Sequence, residues 1–231
     1  MNDIEMIKIE QIEKKKLIKR IRSKLLRHYF KLIDLFTANK RFEKYKDRTF
    51  TIISNNCWGG TVYEYCGLSK LSPTVGSYFF AKDYLKFVSN LEYYLSCKLR
   101  MITYKDSKYK EILILKGQQD VPVGVLDDIE IVFLHYKDPR VAEEKWNRRL
   151  SRMNWNNLVV KFSEMNLCEQ EDLFYFDSLP YKNKIIFTKQ KYDGLNNSVV
   201  IPFYAKSLQI NDDIPEWRLK RKKIWNLLGW D

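Results

Sequence analysis

Short apolar runs alternate with amphipathic stretches along most of this chain, a pattern typical of a protein in which strands and helices follow one another. The apolar runs predict strands over residues 50–53, 100–104, 111–115, 129–134, 157–162, 184–188 and 198–202. Helical spacing and capping residues predict helices over 61–65, 81–96, 139–152 and 168–179. We therefore expect an α/β fold with an open, mostly parallel mixed sheet flanked by helices.

Both ends of the chain repeat apolar residues at helical spacing among many lysines and arginines. The first end carries Ile18, Ile21 and Leu25 on one face, which predicts a long basic amphipathic helix. At the second end, Trp217 and Ile224 begin the apolar face of a shorter basic helix. We divide the chain into a helical extension over 1–48, an α/β domain over 49–215 and a basic Trp-containing helix over 216–231.

The net charge of +12 belongs almost entirely to these two ends. Residues 1–48 contain 15 basic and 7 acidic side chains, and residues 216–231 contain 5 and 2. Such helices can pack on the domain with a solvated face, lie on an anionic membrane surface, or bind nucleic acid. Nucleic acid is not favoured, because the middle of the chain does not interleave basic and aromatic residues.

Apolar runs long enough to span a bilayer are missing from the sequence, as is the apolar segment of a signal peptide. Four widely spaced cysteines predict neither a structural zinc site nor a disulfide framework. We expect a cytoplasmic protein, free or peripheral at the inner face of the cytoplasmic membrane.

The first predicted strand runs directly into a polar, glycine-containing turn. Ligands of α/β proteins gather beyond the carboxyl ends of strands, so this turn is a candidate site. It offers amides, a thiol and close backbone approach to a ligand. The residues are Asn55, Asn56, Cys57, Trp58, Gly59 and Gly60. A purely structural corner between strand and helix explains the same residues.

A Pro-containing loop over residues 71–76 follows and predicts a second wall of the same site through Ser72 and Thr74. Asp127 and Asp128, just before the run at 129–134, fit either a metal motif or a turn. No metal site is favoured.

His135 and Tyr136 stand at the end of the apolar run over 129–134. An imidazole in that position is the natural general base near neutral pH. A histidine that only forms a structural hydrogen bond at the end of a strand is the alternative.

Asp138 and Pro139 predict the start of the next helix. Its basic cluster consists of Lys145, Trp146, Arg148, Arg149 and Arg152, and guanidinium groups bind phosphate and carboxylate well. The cluster therefore predicts an anionic ligand such as a nucleotide, a diphosphate or coenzyme A. A solvated helix face would also account for it.

Five ordered blocks, at residues 54–60, 72–76, 122–126, 133–136 and 145–149, resemble a family of uncharacterised bacterial proteins associated with exopolysaccharide and capsule gene clusters. The resemblance covers about residues 45–205. It implies an α/β fold and a role in making surface polysaccharide, and it brings no settled reaction with it.

Three functions are consistent with these features. The first is a transferase acting on sugar hydroxyls, with O-acyl transfer favoured. His135 is its base, and Asn55 or Asn56 with the backbone amides near Gly59 and Gly60 stabilises the oxyanion. Arg148 or Arg149 holds the phosphates of the donor, and Cys57 is either a nucleophile or structural. The second is a glycosyltransferase that uses a nucleotide-sugar. The third is a non-catalytic carbohydrate-binding or assembly protein whose Trp58, Tyr63 and Trp146 stack on sugars. Acyl-coenzyme A and a nucleotide-sugar are the candidate donors, and a sugar or lipid-linked glycan is the candidate acceptor.

Overall fold

A computed structural model describes the backbone of residues 3–230 and the side chains of Lys14 and of residues 17–230. The helices are α1 (Asp3–Tyr45), α2 (Trp58–Cys66), α3 (Ala81–Ser89), α4 (Leu91–Ser96), α5 (Lys110–Leu115), α6 (Pro139–Leu150), α7 (Gln170–Ser178) and α8 (Arg221–Leu228). The strands are β1 (Thr51–Ser54), β2 (Arg100–Ile102), β3 (Val123–Leu126), β4 (Ile129–Val132), β5 (Leu158–Ser163), β6 (Asn183–Thr188) and β7 (Ser198–Val200).

The α/β class is confirmed, with the strands divided between two sheets. The larger sheet has the order β1-β5-β6-β7 and is parallel throughout, and the smaller one has the order β2-β3-β4 and is antiparallel. All four residues of β1 are buried, as expected for a parallel strand covered on both faces.

Alternate residues of the parallel strands supply the two main cores. Ile53 and Val160 face a core shared with α3, α6 and α7. Their neighbours Ile52 and Val159 face the opposite core, formed with α2 and the C-terminal segment. The period-two alternation of a strand explains how consecutive residues fill both layers.

The aromatic residues near the C-terminus lie inside the second core. Trp217, Trp225 and Trp230 are buried, and the rings of Trp217 and Trp225 stack at 5.6 Å. The short basic helix predicted there is present as α8, and its apolar face packs on the body of the protein.

Two predicted elements differ from the observed ones. The single helix expected over 81–96 is interrupted at Asn90, whose φ of −141° and ψ of 59° are not helical. Residues 111–115 were expected to form a strand paired with 100–104, and this prediction is wrong because they belong to helix α5. Glu111 is followed by four consecutive apolar residues, and so short an apolar run does not distinguish a strand from a helix.

The observed antiparallel hairpin joins β3 to β4 instead. Leu126 pairs with Ile129, so Asp127 and Asp128 form a two-residue turn, and Asp127 has the positive φ of 53° that such turns require. Asp128 accepts hydrogen bonds from Lys86 at 2.5 Å and from Tyr94 at 2.8 Å.

The long basic N-terminal helix is confirmed as α1, and one side of it lies against the C-terminal segment. Arg22 pairs with Glu216, and Arg218 holds Asp34 through both guanidinium nitrogens at 2.9 Å. Within residues 3–230, none of the helices combines the length and the apolar character needed to cross a membrane.

Candidate functional site

A thiol and an imidazole from distant parts of the chain meet at the edge of the parallel sheet. Cys57 follows β1 and immediately precedes α2, and His135 follows β4. The Nε2 atom of His135 lies 3.1 Å from the Sγ atom of Cys57. The two strongest candidates of the sequence are thus brought into direct contact.

The backbone between residues 76 and 79 positions this pair by connecting the two sheets. Phe79 N donates to Asn55 O at 3.1 Å beside β1, and Tyr78 exchanges two backbone hydrogen bonds with Val132 at the end of β4. His135 N donates to Gly76 O at 3.1 Å. The histidine is therefore fixed relative to the end of β1, although β4 belongs to the other sheet.

Burial and nearby charges keep the Cys57 thiol protonated. The pKa of this thiol is raised from 9.0 to about 12, mainly by desolvation and also by the carboxylate of Asp213, while Lys161 opposes the shift. A thiol with this pKa is not ionised at neutral pH. Its proton must pass to a base when it reacts, and the imidazole of His135 is the base in contact with it.

The pair opens into a cleft of about 700 Å³ that also reaches Gly60, Lys145 and Arg149. Gly60 lies in the first turn of α2, where backbone N–H groups have no intrahelical acceptor. Such a donor beside a nucleophile can stabilise an oxyanion. An added Cβ at Gly60 would lie 3.1 Å from the Cγ1 atom of Val75, so a larger residue would crowd this wall.

Helix α6 contributes two cations from one face. Lys145 and Arg149 are four residues apart, so both point into the cleft. Arg149 donates to Val75 O at 2.7 Å and to the hydroxyl of Tyr136 at 2.6 Å, and Lys145 lies 5.9 Å from the ring centre of Tyr136. The arrangement favours a phosphate-bearing ligand.

The two acidic side chains of the cleft wall are held by other cations. Asp212 pairs with Arg27 of α1 at 2.7 Å, and Glu64 pairs with Lys70 at 2.6 Å. The positive charge of Lys145 and Arg149 is therefore not cancelled by these carboxylates.

A buried polar network lies directly beneath Cys57. The Nζ atom of Lys161 lies 2.5 Å from the carboxylate of Asp213 and 2.8 Å from Oδ1 of Asn56. Asn56 donates its amide to Asp213 at 2.9 Å, and its Oδ1 accepts from Trp58 N at 3.2 Å. Burial lowers the pKa of Lys161, and Asp213 opposes that shift. The network fixes the start of α2 and so the position of Cys57.

The structure distributes the predicted site residues between the cleft and the core. Cys57, Gly60, His135, Tyr136 and Arg149 line the cleft. Seven others are buried away from it: Asn55, Asn56, Trp58, Gly59, Ser72, Thr74 and Trp146. Arg148, one position before Arg149, is exposed on another side of α6.

The buried members have structural contacts that explain their positions. Trp58 and Trp146 are 0% and 1% exposed, so neither ring is open to stacking on a sugar, and the same holds for Tyr63 at 1%. Ser72 and Thr74 bond to each other at 3.0 Å, and Thr74 also accepts from the backbone N–H of Ser54.

Asn55 and Gly59 fix the same corner. Asn55 bonds to the backbone of Ser163 in both directions at 3.0 Å and so joins the ends of β1 and β5. A Cβ at Gly59 would lie 3.0 Å from Ile52 Cγ2, which shows how closely α2 approaches β1. The corner is therefore both a structural junction and part of the cleft wall. Asn56 supports it through its hydrogen bonds to Asp213, Lys161 and the backbone of Trp58.

The prediction of the site omitted Lys161 and Asp213, whereas Lys145 belongs to the predicted basic cluster and does line the cleft. The spacing of Lys145 four residues before Arg149 puts both side chains on one face of the helix. Lys161 interrupts an apolar strand, which marks a buried charge in need of a partner, but its partner lies 52 residues further on in irregular backbone. Nothing in the sequence around Arg27 or Asp212 indicated that these residues line the cleft.

Comparison with known proteins gives two matches. A family model described as "Domain of unknown function (DUF1919)" matches residues 28–226. A protein of Haemophilus influenzae, described as an uncharacterized protein, is 31% identical over 197 residues, which cover 85% of this chain and 84% of that protein. The region matched by the family model contains Cys57, His135, Lys145 and Arg149.

Proposed function

The chain belongs to the DUF1919 family, and from the geometry of its cleft we propose that it is a transferase that moves an acyl group onto a sugar hydroxyl. The contact of 3.1 Å between Cys57 and His135, at the mouth of a basic cleft, is the observation that carries this proposal. The resemblance of the five sequence blocks supports a role in assembling cell-surface polysaccharide on the cytoplasmic side.

The first half-reaction loads the enzyme. The thiol of Cys57 attacks the carbonyl carbon of an acyl thioester while His135 takes the thiol proton. A new C–S bond to Cys57 forms, the C–S bond of the donor breaks, and the leaving thiolate takes the proton from His135. The raised pKa of Cys57 makes this proton transfer necessary at neutral pH.

The second half-reaction transfers the acyl group. A sugar hydroxyl attacks the carbonyl carbon of the acyl-Cys57 thioester while His135 removes the hydroxyl proton. The C–S bond breaks, the ester forms and the Cys57 sulfur regains its proton from His135. In this scheme the backbone N–H of Gly60 donates to the oxyanion of both tetrahedral intermediates.

Lys145 and Arg149 give the cleft its selectivity for a donor that carries phosphates. Coenzyme A thioesters have such phosphates together with the activated acyl group that Cys57 requires. The same cations would also bind the diphosphate of a nucleotide-sugar, the donor of the glycosyltransferase alternative. Formation of an acyl-enzyme separates the two classes, because glycosyl transfer from a nucleotide-sugar leaves no acyl group on Cys57.

The decisive experiment incubates the protein with acetyl-coenzyme A, quenches it with acid and measures intact mass and release of coenzyme A. Wild type is expected to gain one acetyl group on Cys57, and Cys57→Ala is expected to gain none. His135→Gln should load at least a hundredfold more slowly, as is typical when a general base is lost. Cys97→Ala is the matched control, since Cys97 is a partly exposed thiol outside the cleft.

A second pair of variants tests donor binding. Lys145→Ala should weaken coenzyme A binding in titration calorimetry by about tenfold, the effect of one lost charge-assisted hydrogen bond. Arg148→Ala removes an equal charge from the exposed side of the same helix and should leave binding unchanged. Acetylation that persists in Cys57→Ala, or tight binding of a nucleotide-sugar without any acyl-enzyme, would overturn the proposal.

A further inference from the structure

The side of α1 that faces away from the body carries a row of exposed apolar residues. We name this row the outer stripe, and it consists of Ile18, Ile21, Leu25, Tyr29, Leu32 and Phe36. Spacings of three and four residues align the six side chains along one face over about 27 Å at 1.5 Å per residue. Their exposed fractions run from 47% at Leu32 to 87% at Phe36. An apolar surface this continuous marks an interaction site.

The charges around the outer stripe are almost all positive. From Lys14 to Arg41 the sequence holds eleven lysines and arginines and one acidic residue, Asp34. Asp34 is held by Arg41 at 2.8 Å and by Arg218 at 2.9 Å on the side of α1 that faces the body. Between Lys14 and Arg41 the outer stripe is therefore bordered by cations, and the single carboxylate of that segment is bound on the side facing the body.

The combination of an apolar stripe and bordering cations decides which kind of partner fits this face of α1. A second copy of α1 would bring together two segments, each with eleven cations and one acidic residue between Lys14 and Arg41, and this like charge opposes self-association. Nucleic acid would neutralise the cations but would leave six apolar side chains against phosphates. An anionic bilayer surface satisfies both features, because apolar side chains enter the acyl boundary while lysines and arginines remain among the head groups.

We propose that the outer stripe docks α1 in the plane of an anionic phospholipid surface. Helices of this type lie in the interface without crossing the bilayer, and each nearby cation adds to the attraction. The ion pairs between α1 and the C-terminal segment leave the outer stripe free for this contact. They are made by Arg22, Arg27 and Asp34, which lie on other sides of the helix.

Docking of α1 also sets the distance of the cleft from the membrane surface. The substrate class inferred from this distance rests on the proposed function. Arg27 of α1 lines the cleft and pairs there with Asp212. The cleft thus lies about one helix diameter, roughly 10 Å, from the docked face. An acceptor sugar attached to a membrane lipid would be held within reach of Cys57, so the inferred substrate class is a lipid-linked glycan.

The test is flotation of the full chain with vesicles of phosphatidylglycerol and phosphatidylcholine, and with vesicles of phosphatidylcholine alone. We expect binding to the anionic vesicles and a loss of binding as salt is raised. Leu25→Glu and Phe36→Glu should each lower the partition coefficient at least tenfold. Both side chains are exposed, so the fold is expected to survive. Leu115→Glu is the matched control, because Leu115 is 86% exposed on α5.

Each other outcome contradicts the proposal in its own way. Equal vesicle binding by wild type and Phe36→Glu would exclude the outer stripe as the docking face. A wild-type dimer in light scattering that Phe36→Glu dissociates would identify the face as an interface between copies. Binding of a single-stranded oligonucleotide that Phe36→Glu abolishes would assign the face to nucleic acid. Acetyl loading of Cys57 is measured without vesicles, so it stands or fails separately.

Discussion

The ammonium of Lys161 and the carboxylate of Asp213 lie 2.5 Å apart with both side chains fully buried beneath the cleft. Lys161→Met is expected to lower the free energy of unfolding by about 3–5 kcal/mol, because it leaves Asp213 as a buried charge without its partner. Denaturant unfolding followed by circular dichroism measures the change. Lys191→Met is the control, since Lys191 pairs with Asp193 on the open surface and should unfold like wild type. Equal stability of the two variants would show that the buried pair adds nothing.

The protonated state of Cys57 can be measured by alkylation. Its pKa of about 12, against 9.0 for a free thiol, leaves so little thiolate at pH 7 that iodoacetamide should modify it at least a hundredfold more slowly than a free thiol. The rate should keep rising as the pH is raised from 9 toward 12. Peptide mass spectrometry assigns the modification to Cys57. Rapid modification at neutral pH would instead indicate a preformed pair of thiolate and imidazolium.

Gly76 holds His135 through its carbonyl, and its backbone has a φ of +87°. An added Cβ would lie 2.9 Å from Cε2 of Tyr136. Gly76→Ala is expected to cost about 2–5 kcal/mol of unfolding free energy, from left-handed strain together with overpacking. Acetyl loading of Cys57 should also fall under conditions where the variant remains folded, because a shift of the backbone at residue 76 displaces the carbonyl that holds His135 N.

Gly117→Ala provides the matched comparison for that variant. Gly117 has a φ of +65°, and nothing lies within 4 Å of an added Cβ. Gly117→Ala should lower the free energy of unfolding only by the backbone strain of about 1–2 kcal/mol and should leave acetyl loading of Cys57 intact. If Gly76→Ala and Gly117→Ala lose the same stability and both acetylate Cys57 normally, the contact of residue 76 with Tyr136 does not affect stability. Its support of His135 would then not affect loading either.

The sequence was sufficient to nominate Cys57 and His135, because each follows a short apolar run that predicts a strand. It could not show that they touch. Their contact depends on residues 76–79, an irregular segment whose backbone bonds to both sheets. Irregular segments have no periodicity from which such pairing could be predicted.

Burial explains the other differences between the predicted and the observed site. Trp58 and Trp146 have the residue type of a sugar-stacking surface, yet both lie in the core. A sequence pattern gives the residues on one face of a helix but not what covers that face. The i, i+4 relation of Lys145 and Arg149 could be read from the sequence alone, whereas the choice of Arg149 over Arg148 required the orientation of α6.

Neighbouring residues Asp212 and Asp213 connect the surface of the protein to the layer beneath its thiol. Asp212 holds Arg27 of α1, and Asp213 holds Lys161 under Cys57. During synthesis, the strands and both members of the Cys57–His135 pair leave the ribosome well before this segment does. The site is therefore completed late in translation: until Asp213 emerges, Lys161 has no counter-ion, and the corner that carries Cys57 lacks its support.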